Sequence, residues 1–230
     1  MKERRPELGK TEAEIQQMIQ KRRLKIQEMN GSVELSKEGA DREIADGVQV
    51  FTSSEGVSHP DLILSDDGKQ VEDSDVKKNL QKNPERFDKC ANVLAKQSFS
   101  SGRFYYEVQV EGKTDWDLGV ARESIDRKGK ITLNPQKGYW TIWLRNENEY
   151  YACASPSVRL SLKSQPEKVG VFVDYEEGLV SFYNVDAAAL IYSFTGCCFK
   201  EKLYPYFSPS PNYGGKNSAP LIISPVNHTE

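Results

Sequence analysis

From Asp61 onward, apolar side chains recur at every second position in short runs separated by Gly, Pro, Asp and Ser clusters. The clearest case is VGVFVDYEEGLVSFYNV, Val169 to Val185. Val169, Val171 and Val173 fall on one face of an extended strand, with Gly170, Phe172 and Asp174 on the other. Glu177-Gly178 marks a turn, and Leu179 to Tyr183 runs back. Two apolar runs around a short Gly-containing connection predict a β-hairpin, and apolar residues on both faces predict a covered position inside a sandwich. The same period governs FYYEVQV, where Phe104, Tyr106, Val108 and Val110 share a face. In DWDLGVA, Trp116, Leu118 and Val120 point one way and Asp117 the other. GYWTIWLRN sets Trp140, Ile142 and Leu144 against Thr141, Trp143 and Arg145. DLILSDDGKQV alternates and turns at Asp67-Gly68, CANVLA is a short strand, and NLQKNPER is a polar loop. With no βαβ rhythm and no internal repeat, the pattern predicts an all-β, antiparallel two-sheet β-sandwich.

The first 50 residues follow a different period. Between Glu12 and Val50 there is neither proline nor aromatic residue, and Ile19, Ile26, Val33 and Ala40 repeat every seven positions, with Ile15 and Met29 at d-type positions between them. This predicts an N-terminal α-helical coiled-coil segment. Arg22, Ser36 and Glu43 occupy the other d positions, and Asn30-Gly31 weakens the middle. The seam is therefore incomplete, and a single solvated helix is the competing expectation. Ten Lys and Arg balance ten Asp and Glu over residues 1–50, which suits an ion-paired helix better than a membrane-surface one. FTSSEGVSHP, Phe51 to Pro60, breaks the helical pattern. The expected organisation is a helical segment at 1–50, a linker at 51–58, a sandwich domain at 59–226 and a tail at 227–230.

Composition narrows the function. A net charge of -3 over 230 residues gives no basic surface for nucleic acid. No apolar run approaches the ~20 residues that cross a bilayer, and the charged N-terminus is unlike a signal peptide, so no membrane association is expected. Cys90, Cys153, Cys197 and Cys198 show no CxxC or CxxH spacing, so neither a zinc site nor a disulfide framework is implied, and a reducing, cytoplasmic setting fits best. Of the two histidines, His59 lies at the domain's start and His228 in the tail, and neither sits at a strand end with a nucleophile beside it. Asp174, Glu176 and Glu177 read as turn-capping carboxylates, and Gly214-Gly215-Lys216 as a loop without the strand and helix that frame a phosphate site. No catalysis, cofactor or metal is expected.

Three blocks carry a family resemblance: HPDLILSDDGKQV (His59 to Val71), GRFYYEV (Gly102 to Val108) and Val173-Asp174-Tyr175-Glu176. With NPERFD, WDLGVARESIDRKG, YWTIWL and LYPYFSP in the same order, they resemble the PRY–SPRY domain that ends tripartite-motif (TRIM) proteins. Tyr106 stands where that family usually has tryptophan. The resemblance implies a concanavalin-like jelly-roll sandwich that binds a target protein, selecting it for a TRIM-type ubiquitin ligase in innate immunity. It likens the N-terminal helix to the end of a TRIM coiled coil, much shortened. The zinc-binding RING that ligase activity needs does not precede it, so the chain reads as a short or abridged member and not as an enzyme. The alternative expectation is a ligase-associated subunit or dominant-negative short form that pairs through its helix with a full-length TRIM protein. A weak homodimer is the other pairing expected of that helix.

The candidate site follows from alternation and resemblance together. Trp143 lies three residues from Trp140, so the two indoles face opposite ways, and Asp117 is likewise turned from its apolar neighbours. In the family the counterparts of Asp117 and Trp143 line the partner surface. Arg145 and Pro211 occupy positions where relatives carry aromatics, so the partner's identity does not transfer. Tyr150, Tyr151, Asn212 and Tyr213 complete the expected partner-binding set at the loop edges. A purely structural Trp143, packed under a loop, is the competing reading.

Overall fold

The computed structural model describes residues 58–80 and 83–224. The coiled-coil segment at 1–50, nearly all of the linker, and the tail lie outside the described residues. Among the described residues, thirteen strands and one short 3-10 turn, Pro135–Lys137, make up the regular structure. In order the strands are β1 Leu62–Leu64, β2 Gln70–Asp73, β3 Val93–Leu94, β4 Arg103–Gln109, β5 Trp116–Arg122, β6 Tyr139–Arg145 and β7 Glu149–Ala152. They continue with β8 Val158–Leu160, β9 Lys168–Asp174, β10 Leu179–Asn184, β11 Ala189–Phe194, β12 Leu203–Ser208 and β13 Leu221–Ser224.

All pairings are antiparallel. The first sheet runs β1-β2-β13-β4-β9-β10-β11 and the second β3-β12-β5-β6-β7-β8. The Val169–Val185 hairpin is β9–β10, with β9 hydrogen-bonded between β4 and β10, and its successive residues Val171 and Phe172, on opposite faces, are both buried. Its turn is closed as its acidic residues predict: Asp174 Oδ1 accepts from the Glu177 amide at 3.0 Å. The Glu176 carboxylate accepts from the Gly102 amide at 2.9 and 3.0 Å.

The inner faces meet in one core. Phe104, Val108, Val171, Val173, Val180 and Phe182 from the first sheet, and Trp116, Leu118, Val120, Ile142, Leu144 and Phe207 from the second, are all buried. Each such side chain removed from water contributes about 1.5–3 kcal/mol, so this interior is the main stabilising term. Tyr106, at the family's tryptophan position, keeps an aromatic in the core and adds a polar link. Its hydroxyl donates to the Gly119 carbonyl on the opposite sheet at 2.6 Å. Gly119 has φ +149, and a Cβ there would lie 2.1 Å from the Trp140 carbonyl, so only glycine lets β5 and β6 approach this closely.

The outer face of the second sheet is unevenly covered. At one end Tyr139, Tyr206, Ala121 and Leu94 pack with Phe87 and Ile125, which come from loops. Those loops are clasped together: Arg127 donates to the Glu85 carboxylate at 3.0 Å, and Lys128 Nζ donates to the carbonyls of Asn83 and Arg86 at 2.9 and 2.6 Å. The cover stops at Thr141, and the remainder of β6 is partly open.

Candidate partner-binding surface

Strand register lines up the open end. Across β12, β5, β6, β7 and β8, Ser208 pairs with Asp117, Asp117 with Trp143, Trp143 with Tyr151, and Tyr151 with Arg159. Side chains of paired residues share a face, so these five form one row. Trp143 and Tyr151 stack with ring centroids 4.5 Å apart and planes 17° from parallel. The Arg145 guanidinium lies 5.1 Å from the Trp143 ring centroid, within cation–π range.

Arg145 is pinned from the other side. Its Nη2 donates to Asp117 Oδ1 at 2.7 Å, its Nη1 to the Trp116 carbonyl at 3.0 Å, and its Nε lies 4.0 Å from Asp115 Oδ1. Asp117 is 5% exposed. Burial pushes its carboxyl up, against the charge and hydrogen bond of Arg145. Burial draws Arg145 down, but the carboxylate of Asp117, followed by Asp115 and Tyr213, more than offsets this, and the guanidinium holds its charge more firmly than usual. A buried carboxylate therefore orients a half-buried aromatic pair through one guanidinium. Below this row Cys153 is buried, and burial pushes its thiol up to about 12.

The loop between β12 and β13 flanks the row. Tyr213 is exposed, with φ +55, and Pro211 is exposed beside it. Asn212 is committed internally: its Nδ2 donates to the Asp73 carbonyl at 3.0 Å and its Oδ1 accepts from the Gly215 amide at 2.6 Å. The Gly214-Gly215 amides are thus used on protein oxygens, since Gly214 donates to Asp75 Oδ2 at 2.8 Å.

The structure brings Asp117, Trp143, Arg145 and Tyr151 together, with Tyr213 in the field of Arg145. Tyr150 does not join them. It neighbours Tyr151 on β7, so alternation turns it inward, where it is 6% exposed and meets Trp116 edge-on at 6.2 Å. Asn212 shapes its loop and offers a partner little of its side chain.

Residues that sequence reasoning missed hold the loop in place. Asn217 is buried: Oδ1 accepts from the Thr114 amide at 3.0 Å, and Nδ2 donates to the carbonyls of Pro209, Asp115 and Pro211 at 2.9, 3.1 and 3.1 Å. Lys113, 3% exposed, donates to the Ala219 carbonyl at 2.8 Å, and burial lowers its ammonium to about 8. Arg159 and Ser208 were also missed. The strand pairing that puts them in the row has no short-range signature, whereas the lysine in VEGKTDW and the asparagine in GGKNS read as ordinary polar loop residues.

His59 is buried at the start of the domain, where its Nδ1 accepts from the Asp61 amide at 3.3 Å. Among the described residues no group of His, Cys, Asp or Glu is gathered for a metal, and no helix is long and apolar enough to cross a membrane.

Comparison with known proteins agrees with this architecture. The model of the SPRY domain matches residues 103–222, and that of the SPRY-associated domain, PRY, matches residues 58–99. "Nuclear factor 7, brain" of Xenopus laevis is 55% identical over 164 residues, covering 71% of this chain and 27% of that protein. Human pyrin is 48% identical over 182 residues, covering 79% of this chain and 23% of pyrin. The bovine E3 ubiquitin-protein ligase TRIM21 is 46% identical over 170 residues, covering 74% and 36%. The chain therefore spans about a quarter to a third of the length of these relatives. Among solved structures, the TRIM65 PSpry domain superposes with a TM-score of 0.61 at 21% identity, over 75% of this chain and 86% of that one, which supports the fold. The two matched segments, their order and the two-sheet sandwich together show that this chain belongs to the PRY–SPRY family of tripartite-motif proteins.

Proposed function

We propose that this chain is a non-catalytic protein-recognition module that captures a target protein on the open end of the second sheet's outer face. The observation that carries this reading is the Trp143–Tyr151 stack, partly open, held by an Arg145 that is itself pinned by the buried Asp117. Aromatic and arginine side chains fixed in place before binding lose little freedom on contact, which is what interface anchors require. Tyr213 and Pro211 supply one rim and Arg159 the other. By kinship with the TRIM ligases, the module would select targets for ubiquitination, with innate defence the setting the family implies.

The test pairs Trp143→Ala with Trp140→Ala on the purified chain, measuring thermal stability and capture of proteins from cell extract by quantitative proteomics. The proposal expects Trp143→Ala to fold normally and to lose specific partners. Equal unfolding by the two substitutions, or an unchanged partner set for Trp143→Ala, overturns it.

A further inference from the structure

The row Asp117, Trp143, Tyr151 and Arg159 crosses the open end of the second sheet from β5 to β8, and its two ends differ in how their charges are met. At the β5 end the guanidinium of Arg145 is surrounded. It is held by Asp117 at 2.7 Å, by the carbonyls of Trp116 and Leu144 at 3.0 and 2.7 Å, and faces Asp115 at 4.0 Å. At the β8 end Arg159 is exposed, and among the described residues no carboxylate forms an ion pair with it.

The aromatic pair between these ends has both indole faces occupied. Tyr151 covers Trp143 from the β7 side at 4.5 Å. The Arg145 guanidinium, tied to Asp117 on β5, covers it from the other side at 5.1 Å. An incoming group therefore meets the rim of the indole and not its π face. Aromatic faces carry partial negative charge and rims partial positive charge, and this rim also bears the Nε1–H donor. Among the described residues neither that N–H nor the Tyr151 hydroxyl is bonded to a protein group, and neither is sealed from solvent. Indole N–H, phenol O–H and guanidinium N–H groups thus follow one another at the spacing of neighbouring strands, about 4.8 Å.

The acceptors nearby are already engaged. Asp117 and Asp115 serve Arg145, and Glu149 Oε2 accepts from Asn146 Nδ2 at 2.9 Å on the turn between β6 and β7. Glu149 and the exposed Glu147 also make that turn repel a second acid, which leaves Arg159 as the place for one. A basic segment would be repelled by Arg159, and a purely apolar one would strip water from it without replacing the lost hydrogen bonds.

We propose that the surface selects an acidic segment of its target, with an Asp or Glu carboxylate paired to Arg159 and oxygen acceptors on the Tyr151 hydroxyl and the Trp143 N–H. This rests on the reading of the row as the partner surface and names the chemistry that it recognises. The pinned Arg145 fixes the indole, so the donors are in position before the target arrives.

The experiment selects a displayed library of random peptides on the purified full chain, after depletion on the Trp143→Ala chain. The recovered sequences should be enriched in Asp and Glu over the unselected library. Synthesised winners should bind Arg159→Ala roughly fivefold more weakly than wild type, the size of one exposed ion pair. Arg159→Glu should weaken them by more than about tenfold, through like-charge repulsion, while Arg159→Lys should recover most of the loss. In about 0.5 M salt the difference between wild type and Arg159→Ala should shrink towards none. Arg159 is exposed, so all three variants should keep the thermal midpoint of wild type. Trp143-dependent peptides without acid enrichment, or ones that bind Arg159→Ala as well as wild type, overturn the acidic target and leave the surface standing. A library that yields no Trp143-dependent peptide overturns both.

Discussion

The two ends of the second sheet's outer face are built from the same strands and differ in what lies over them. At the Tyr139 end, Phe87 and Ile125 come down from loops, and Tyr139, Tyr206 and Leu94 become part of a second small core. At the Trp143 end no such cover arrives among the described residues, and the same alternation that buries Tyr139 presents Trp143 and Arg145 to solvent in part. Strand periodicity assigns a residue to a face; a loop from elsewhere in the sequence decides whether that face is core or surface. The proposed partner surface is thus the part of the sheet that the loops carrying Phe87 and Ile125 leave uncovered.

The strongest way to break this comparison is to remove the cover. Phe87 is fully buried, and Phe87→Ala should cost about 3–5 kcal/mol by opening a cavity under the loops. Chemical denaturation would read this as a lower midpoint. A loss below about 1 kcal/mol would mean that the covered end is not a core. Trp140→Ala belongs to the same class, since its ring meets Phe199 edge-on at 4.9 Å. Asp117→Ala comes next. It leaves a partly buried guanidinium with two backbone carbonyls and the more distant Asp115 as its one remaining carboxylate, and about 2 kcal/mol of stability should go, short of the full penalty for a completely enclosed charge. Capture should fall with it, because Arg145 loses its anchor. Trp143→Ala has the opposite profile, with under about 1 kcal/mol of folding stability lost but roughly 2 kcal/mol or more of target binding. Titration of wild type and variant against an identified partner measures it.

These contrasts also show what the sequence could reveal. Alternation in GYWTIWLRN and DWDLGVA was enough to separate Trp140 from Trp143 and Leu118 from Asp117, because period two is a local property of a strand. The same rule, applied within EYYA, separates Tyr150 from Tyr151. Grouping both with the site overlooked a residue that alternation sends to the core. Arg159, Ser208, Asn217 and Lys113 were beyond reach for a different reason. Their roles arise from register between strands or from carbonyls more than a hundred residues away, as with Lys113 and Ala219. The closed and open ends could not be told apart either, since the cover depends on Phe87 meeting Tyr139 across the chain.

Lys113 gives a pH test of how the open end is held. Its ammonium titrates near 8 when folded against an ordinary 10.5, so between these values the unfolded chain binds the extra proton. Its contribution to stability therefore rises with pH across that window, by up to about 3 kcal/mol. The comparison must be made against Lys113→Met, because Cys153 and Cys197, both raised by burial, lose stability above about pH 9 in either protein. The difference in stability, wild type minus variant, should move in favour of wild type from pH 7 to pH 10. A flat difference would mean that the lysine is solvated and the loop is held by Asn217 alone.

The smallest effect lies midway between the two ends. Tyr106 reaches from the first sheet to the Gly119 carbonyl on β5, between Asp117 at the open end and Ala121 at the closed one. Its ring fills the core beside Phe207, with centroids 5.7 Å apart, so Tyr106→Phe removes an oxygen and almost no packing. A net hydrogen bond is worth about 1 kcal/mol, and a carbonyl left without this donor sets the upper part of that range. The substitution should lower stability by about that amount and leave target capture intact, because β5 remains paired with both β6 and β12. Loss of capture without loss of stability would show that the inter-sheet link sets the position of Asp117. In that case the covered and open ends would be coupled through β5, and the surface would depend on the core beneath it as well as on the loops around it.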